Sequence, residues 1–209
     1  DKTGTLTQNR MAITNVHIDQ VSYNQGECRQ AQLEKSPGFT QLVSVGRLCN
    51  AASFDPSTMS LSISDRLVLG DGTDAAVLRF VTEYAVDETE IENFTKIAEI
   101  PFNSKNKWML RIMRPKNIDN VYKTLCPILM IKGAPDVLFR NCTRIIDADG
   151  NEKPFGLLER QTLAKVQEEW SSSGRRVIAL CYRIIKNESE IPKDTASLEE
   201  VEKLAYNLT

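Results

Sequence analysis

With 209 residues, 41% hydrophobic and 26% charged, the chain has the make-up of an ordinary soluble globular protein with one proper core. Lys and Arg number 26 against 28 Asp and Glu, and the net charge of −2 argues against a basic field for nucleic acid or an anionic membrane. Apolar runs such as PILMI (127–131) and VIALCY (177–182) fall far short of the ~20 residues a spanning helix needs, and the Asp1-Lys2-Thr3 start does not read as a signal peptide.

Residues 11–18 alternate in the period-2 manner of a half-buried strand, and VSYNQGE (21–27) reads as a second strand running into a turn. Ser36 and Pro37 form a helix start, and Leu42, Val45, Leu48, Cys49 and Ala52 at 3-and-4 spacing predict a helix from about 38 to 53. Residues 55–72 are turn-rich and polar, a loop. Thr73 or Asp74 then caps a second helix with Ala76, Val77, Phe80 and Val81 on one face. FTKIAEIPF, the turn NSKNK and WMLRIMRP predict two strands joined by a turn. CPILMIKG is a strand of the buried kind, APDVLFRNC a short helix, and TRIIDADGNEKPF a hairpin about Asp149-Gly150. The longest helix starts at GLLERQ and stops at Gly174. RRVIALCYRII is a strand, 186–197 a linker, and SLEEVEKLAYNL a short terminal helix or stub. Strands joined by turns and interrupted by helices predict an α+β fold, one largely antiparallel sheet flanked by helices.

The cysteines, at 28, 49, 126, 142 and 181, are odd in number, widely spaced and without C-x-x-C. A disulfide framework or zinc site is not expected, and a reducing, cytosolic setting is. His17, the sole histidine, lies in an alternating stretch and reads as a surface or half-buried strand residue.

Five motifs follow one another in a recognisable order. DKTGTLT (1–7) resembles the phosphorylation motif of P-type ATPases over all seven residues. The residue types suit the chemistry. A carboxylate, Asp1, attacks the γ-phosphorus of ATP to give an aspartyl phosphate; Lys2 offers charge to the phosphate, and Thr3 a hydroxyl. IKGAPDVL (131–138) resembles the K-G-A-P-E/D segment of the nucleotide-binding domain, which implies that Lys132, Gly133 and Ala134 line the nucleotide. EIPFNSKNKWML (99–110) looks like the E-I-P-F-N-S-x-N-K stretch. The resemblance gives Phe102 the stacking on adenine and Lys107 a place facing the phosphates; without it, Phe102 reads as a core residue and Lys107 as a turn lysine. Met109 stands where these pumps often carry glutamine.

LGDGTDAAVL (69–78) resembles G-D-x-[ST]-E-x-A-L and implies that Asp74, one methylene shorter than the usual glutamate, meets the adenine amino group directly or through water. Its plain alternative is a first-turn aspartate favouring the helix dipole. SSGRRVIALCYR (172–183) is similar to G-x-R-V-L-x-x-C and puts Arg176 on the family arginine, although spacing alone leaves Arg175 open. RLCNAASF (47–54) resembles a structural helix of the family.

The resemblance covers residues 1 to about 190 and points to the sodium/potassium or proton/potassium group of type II cation pumps. It implies residues 1–10 as a strip of the phosphorylation domain, 11–190 as the nucleotide-binding domain and 191–209 as a linker or return stub. ATP is the implied ligand. Mg²⁺ belongs to the intact enzyme, with Asp1 and Thr3 helping to hold it, and the implied partners are the remaining phosphorylation, actuator and transmembrane domains. The implied place is the cytoplasmic side of a membrane, the piece itself being soluble and monomeric. The segments T-G-D and G-D-G-x-N-D-x-P are absent from these residues, so ATP binding without hydrolysis is expected. A phosphatase of the haloacid dehalogenase type would carry D-x-D-x-T/V, and Thr3 replaces its second aspartate. A pure interaction module that has lost catalysis is the other alternative, and nucleotide binding separates it from the first reading.

Overall fold

The structure is a computed structural model and describes residues 10–84, 90–118, 121–191 and 198–209. The DKTGTLT motif, with Asp1, Lys2 and Thr3, lies outside the described residues.

Strands β1 (Asn15–Ile18) and β2 (Val21–Asn24) pair as an antiparallel hairpin, with His17 half-buried and its Nδ1 3.0 Å from Ser22 Oγ. The chain does not simply turn after β2, as expected from VSYNQGE. It enters helix α1 (Gln25–Gln30), because Asn24 and Glu27 form a reciprocal capping box: Asn24 Oδ1 accepts from the Glu27 N–H at 3.0 Å, and Glu27 Oε2 from the Asn24 N–H at 2.7 Å. Helix α2 (Pro37–Leu48) begins at the Ser36 cap as predicted but ends before residue 53, where Cys49 leaves the helical conformation. Two-residue strands β3 (Ser53–Phe54) and β4 (Val68–Leu69) close the polar loop between them.

Helix α3 (Gly72–Tyr84) is capped by neither Thr73 nor Asp74. Asp71 Oδ1 accepts from both of their N–H groups, at 2.8 and 3.1 Å, leaving the Asp74 carboxylate free to point elsewhere.

The main sheet contains β5 (Phe94–Ile100), β6 (Trp108–Pro115), β7 (Ile128–Gly133) and β10 (Ala179–Ile184), ordered β10-β7-β6-β5 and antiparallel throughout. Between β7 and β10 come α4 (Pro135–Leu138), the hairpin β8 (Arg144–Ile146) with β9 (Glu152–Pro154), and α5 (Leu157–Ser172), which ends at Gly174 with φ +76°. Every residue of β7 is buried. Its alternation splits the core: Ile128 and Met130 face α2 with Val45 and Leu48, while Leu129 and Ile131 face the opposite layer with Leu138, Leu204 and Leu208. Phe39 and Phe80 join α2 to α3 in a further cluster with Tyr84. Helix α6 (Leu198–Glu202) and the residues after it pack into the main core through Val201, Leu204, Ala205 and Leu208. This is the α+β architecture expected, helices on an antiparallel sheet.

Asp147 stabilises the β8–β9 hairpin. It accepts from Lys153 Nζ at 2.9 Å and from the Asn151 N–H at 2.8 Å, and these bonds lower its pKa to about 2. The bond to the charged form is therefore kept above the ordinary carboxylate range and lost as pH falls towards 2.

Candidate nucleotide site

Because the four strands alternate in direction, the ends of β5 and β7 and the starts of β6 and β10 meet at one end of the sheet. The register fixes this: Ile100 lies opposite Leu110, and Gly133 lies between Trp108 and Ala179. The predicted site residues lie at or beside that end. Phe102 and Lys107 sit in the β5–β6 loop, Gly133 and Ala134 at the exit of β7, and Arg176 just ahead of β10.

Phe102 is 61% exposed, so the core reading does not hold. An aromatic ring left in water at a sheet end is a stacking surface. Lys107 is exposed, and its backbone is held in the left-handed region at φ +61°. That conformation is uncommon outside glycine and needs support from its surroundings. The support is visible: the Lys107 N–H donates to Asn103 O at 2.8 Å, the Asn106 N–H to Asn103 Oδ1 at 2.7 Å, and Lys107 O accepts from the Ala134 N–H at 3.0 Å. The NSKNK turn is thereby tied to the K-G-A-P segment.

Gly133 has a packing reason to be glycine. A Cβ built there would lie 2.4 Å from Trp108 Cβ and 2.5 Å from Lys107 O. Gly70, at φ +136°, is likewise pressed against Ala52, whose Cα would be 2.9 Å from an added Cβ.

Lys132 and Asp74 lie deeper. Alternation along β7 turns Lys132 to the face covered by α2 and α3, where its Nζ meets Asp74 Oδ1 at 2.5 Å. Both residues are about 95% buried, at 4% and 5% exposure. Asp74 Oδ2 accepts from the Ala51 N–H at 2.8 Å, so both carboxylate oxygens have a protein partner. Each oxygen keeps a further lone pair. Met109, beside Lys132 in the register, is buried under α2.

The L-C-N-A stretch, expected to be structural, supports the site through Asn50, whose part in it sequence reasoning missed. Asn50 Nδ2 donates to Gly46 O at 3.2 Å and to Asp74 O at 3.1 Å, and Asn50 Oδ1 accepts from the Ala52 N–H at 2.8 Å. It joins the end of α2 to the start of α3. The signal available was an asparagine directly after a helix end, a residue type that bonds to nearby backbone. Arg111 adds a second tie, donating to Leu48 O at 3.0 Å and to Glu99 at 2.9 Å. The Cys49 thiol, pushed up to about 12 by burial, remains neutral and takes no part as a nucleophile.

Arg176 is exposed and donates to Thr73 Oγ1 at 2.9 Å, which brings it to the start of α3 beside Asp74. The structure therefore gathers Arg176, Thr73, Asp74 and Lys132 into one chain of contacts, and Lys107, Gly133 and Ala134 into another. Lys132 and Gly133, adjacent in β7, connect the two. With Asp74 and Lys132 neutralising each other, Lys107 and Arg176 supply positive charge at the rim. Among the described residues no group of three or more His, Cys, Asp or Glu is placed to hold a metal ion. Among them, too, no helix is long and apolar enough to cross a membrane.

Comparison with known proteins gives the family. The family model for P-type ATPase, cytoplasmic domain N, matches residues 38–209. The chain belongs to the P-type ATPase family. Similar proteins include the potassium-transporting ATPase alpha chain 2 of Oryctolagus cuniculus, 33% identical over 187 residues, covering 87% of this chain and 17% of that protein. The sodium/potassium-transporting ATPase subunit alpha-4 of Rattus norvegicus is 30% identical over 188 residues (87% and 18%). Subunit alpha-A of Artemia franciscana is 30% identical over 199 residues (93% and 19%). The chain thus spans less than a fifth of the length of each of these relatives, and its likeness is to the type II cation pumps.

Proposed function

We propose that this P-type ATPase chain is the nucleotide-binding domain of a cation-transporting pump, with ATP seated at the sheet end formed by the β5–β6 loop, the β7 exit and the start of α3. The observation that carries this reading is that the loops and strand ends bearing Phe102, Lys107, Gly133, Ala134 and Arg176 come together at one end of the sheet, where the buried Asp74–Lys132 pair also lies.

In this reading Phe102 stacks on the adenine, and Lys107 and Arg176 face the phosphates. Gly133 and Ala134 form the floor, close to the nucleotide because Lys107 is tied to Ala134. Asp74 meets the adenine amino group through a lone pair not used by Lys132 or Ala51, directly or through water. Lys132 holds that carboxylate in place.

In the parent pump Asp1 accepts the γ-phosphoryl group, and the aspartyl phosphate couples ATP hydrolysis to cation transport across a membrane, with the domain on the cytoplasmic side. Mg²⁺ in that enzyme neutralises phosphate charge, with Asp1 and Thr3 helping to hold it. The T-G-D and G-D-G-x-N-D-x-P segments do not occur among the 209 residues, so these residues are expected to bind ATP without turning it over.

Replacing Phe102 by alanine tests the site. The ring is exposed, so fold and Tm should stay unchanged while ATP affinity falls by ~1–3 kcal/mol, the usual worth of base–aromatic stacking. Isothermal calorimetry giving equal affinities for a folded Phe102→Ala and the parent chain would remove Phe102 from the site.

A further inference from the structure

Three arginines from separate parts of the chain converge on the loop between β3 and β4. Arg10, ahead of β1, donates to Ser64 O. Arg66, within the loop, donates through Nε to Leu61 O at 3.1 Å and lies 5.3 Å from the centre of the Phe54 ring. Arg79, on α3, donates to Arg66 O at 3.3 Å. All three hydrogen-bond acceptors are neutral backbone carbonyls. Among the described residues none of the three arginines forms an ion pair with a carboxylate. A guanidinium offers several N–H donors in a planar fork, so one carbonyl leaves most of them unused. The shortfall is plainest at half-buried Arg79, whose Nε is buried with no hydrogen-bond partner among the described residues. Burial and the nearby charge of Arg10 both lower its pKa, as expected where like charges lie close without a counter-ion.

The turn they hold carries two exposed hydroxyls. Ser62 Oγ is 2.7 Å from Ser64 Oγ and donates to Asp65 Oδ2 at 2.6 Å. Ser62 O accepts from the Asp65 and Arg66 N–H groups, at 2.8 and 3.1 Å, which closes the turn and keeps Arg66 beside Ser62. A hydroxyl–carboxylate bond of this kind stabilises a turn without any need for arginines around it. The arginines call for an anion that the turn does not yet carry.

We propose that Ser62 is a phosphorylation site and that Arg10, Arg66 and Arg79 receive the phosphoryl group. In a serine kinase, Ser62 Oγ attacks the γ-phosphorus of ATP, its proton passes to that enzyme's base, and ADP leaves. Asp65, three residues on, suits a kinase that reads an acidic residue at that distance. Once the group is in place Asp65 loses the Ser62 proton it accepted and, being exposed, turns into water away from the new charge. Guanidinium forks match phosphate oxygens with paired, charge-assisted bonds, stronger than those to a neutral carbonyl. Arg10 and Arg66 come from the Ser64 and Leu61 carbonyls on either side of Ser62, and Arg79 brings its unused donor from α3. The modified turn is thereby tied to α3 and to the residues ahead of β1. The loop runs from β3, just after Asn50–Ala52, to β4, just before the Asp71 cap, so the tie also stiffens the frame that holds Asp74.

The first test treats the 209-residue chain with such an acid-directed serine kinase and ATP, beside a Ser62→Ala control. Phosphopeptide mapping should place phosphate on Ser62, and none on this loop of the control. No incorporation there, or equal incorporation in the control, would overturn the proposal. The second test installs phosphoserine at position 62 during translation. The Arg79 Nε–H resonance should shift, Tm should rise by roughly 2–4 °C, and the second ionisation of the phosphate should fall below its usual value of about 6 despite the opposing charge of Asp65. Arg10→Gln and Arg79→Gln should each move these values back towards those of a free phosphoserine; Arg10 is exposed, so its variant keeps the comparison open if Arg79→Gln fails to fold. An ordinary ionisation with an unchanged Arg79 signal would overturn the proposal. Inorganic phosphate that shifts the Arg79 signal of the unmodified chain to the same extent would assign the arginines to a free anion and overturn it as well. ATP affinity, read in the same samples, is a separate outcome: its absence counts against the nucleotide-site reading and leaves the Ser62 result standing.

Discussion

Replacing Lys132 by methionine should destabilise the domain by ~3–5 kcal/mol, because it leaves the Asp74 carboxylate buried with its ammonium partner gone. Asp74→Asn alone should cost a similar amount by stranding the Lys132 ammonium. The double substitution removes both charges, while the carbonyl of the new side-chain amide can still accept from the Ala51 N–H, so much of the loss should return. Urea unfolding of the four proteins gives the coupling directly. A coupling at or beyond the upper end of the usual ~0.5–3 kcal/mol is expected, and additive single losses would mean that the pair is not a unit. The same series separates roles at the site. If Lys132 acts on nucleotide through Asp74, Lys132→Met and the double variant should change preference among nucleobases more than preference between ATP and ADP.

Gly133→Ala should be the next most damaging change. The new methyl would lie 2.4 Å from Trp108 Cβ and 2.5 Å from Lys107 O, atoms fixed to main chain and unable to swing aside. Over-packing of this kind costs typically ~1–3 kcal/mol, or roughly 2–12 °C in Tm for a chain of this size. It should also loosen the bond from the Ala134 N–H to Lys107 O, releasing the left-handed Lys107 and weakening ATP binding beyond the stability loss. Differential scanning calorimetry showing an unchanged Tm would mean that β6 and β7 can part there at little cost.

The long elements were legible because their signals are local. β6 occupies the eight residues of WMLRIMRP, and α5 stops at the glycine expected to stop it. The short ones were legible only with side-chain bookkeeping. α1 is polar and brief, and the Asn24–Glu27 box that starts it is a pattern of two residues without an apolar period. At the start of α3 the sequence points to Thr73 or Asp74 as the cap, and only backbone geometry assigns the role to Asp71.

The site motifs could be quoted from the chain, yet their mutual contacts could not. Asp74 and Lys132 are 58 positions apart, and Thr73 and Arg176 are 103 apart. Pairings at that range are set by strand order and register, to which periodicity is blind. The exposure of Phe102 was hidden for the same reason. A phenylalanine at the end of an apolar strand reads as core until the neighbouring strands show that the sheet has already ended.

The most direct measurement is an ATP titration of isotopically labelled chain followed by amide chemical shifts. Perturbations gathered on 101–107, on Gly133 and Ala134, at the start of α3 and around Arg176, saturating together with a single Kd, are the predicted result. Shifts that stay unchanged at that end of the sheet, or that gather elsewhere while ATP saturates, would contradict the placement of the nucleotide site.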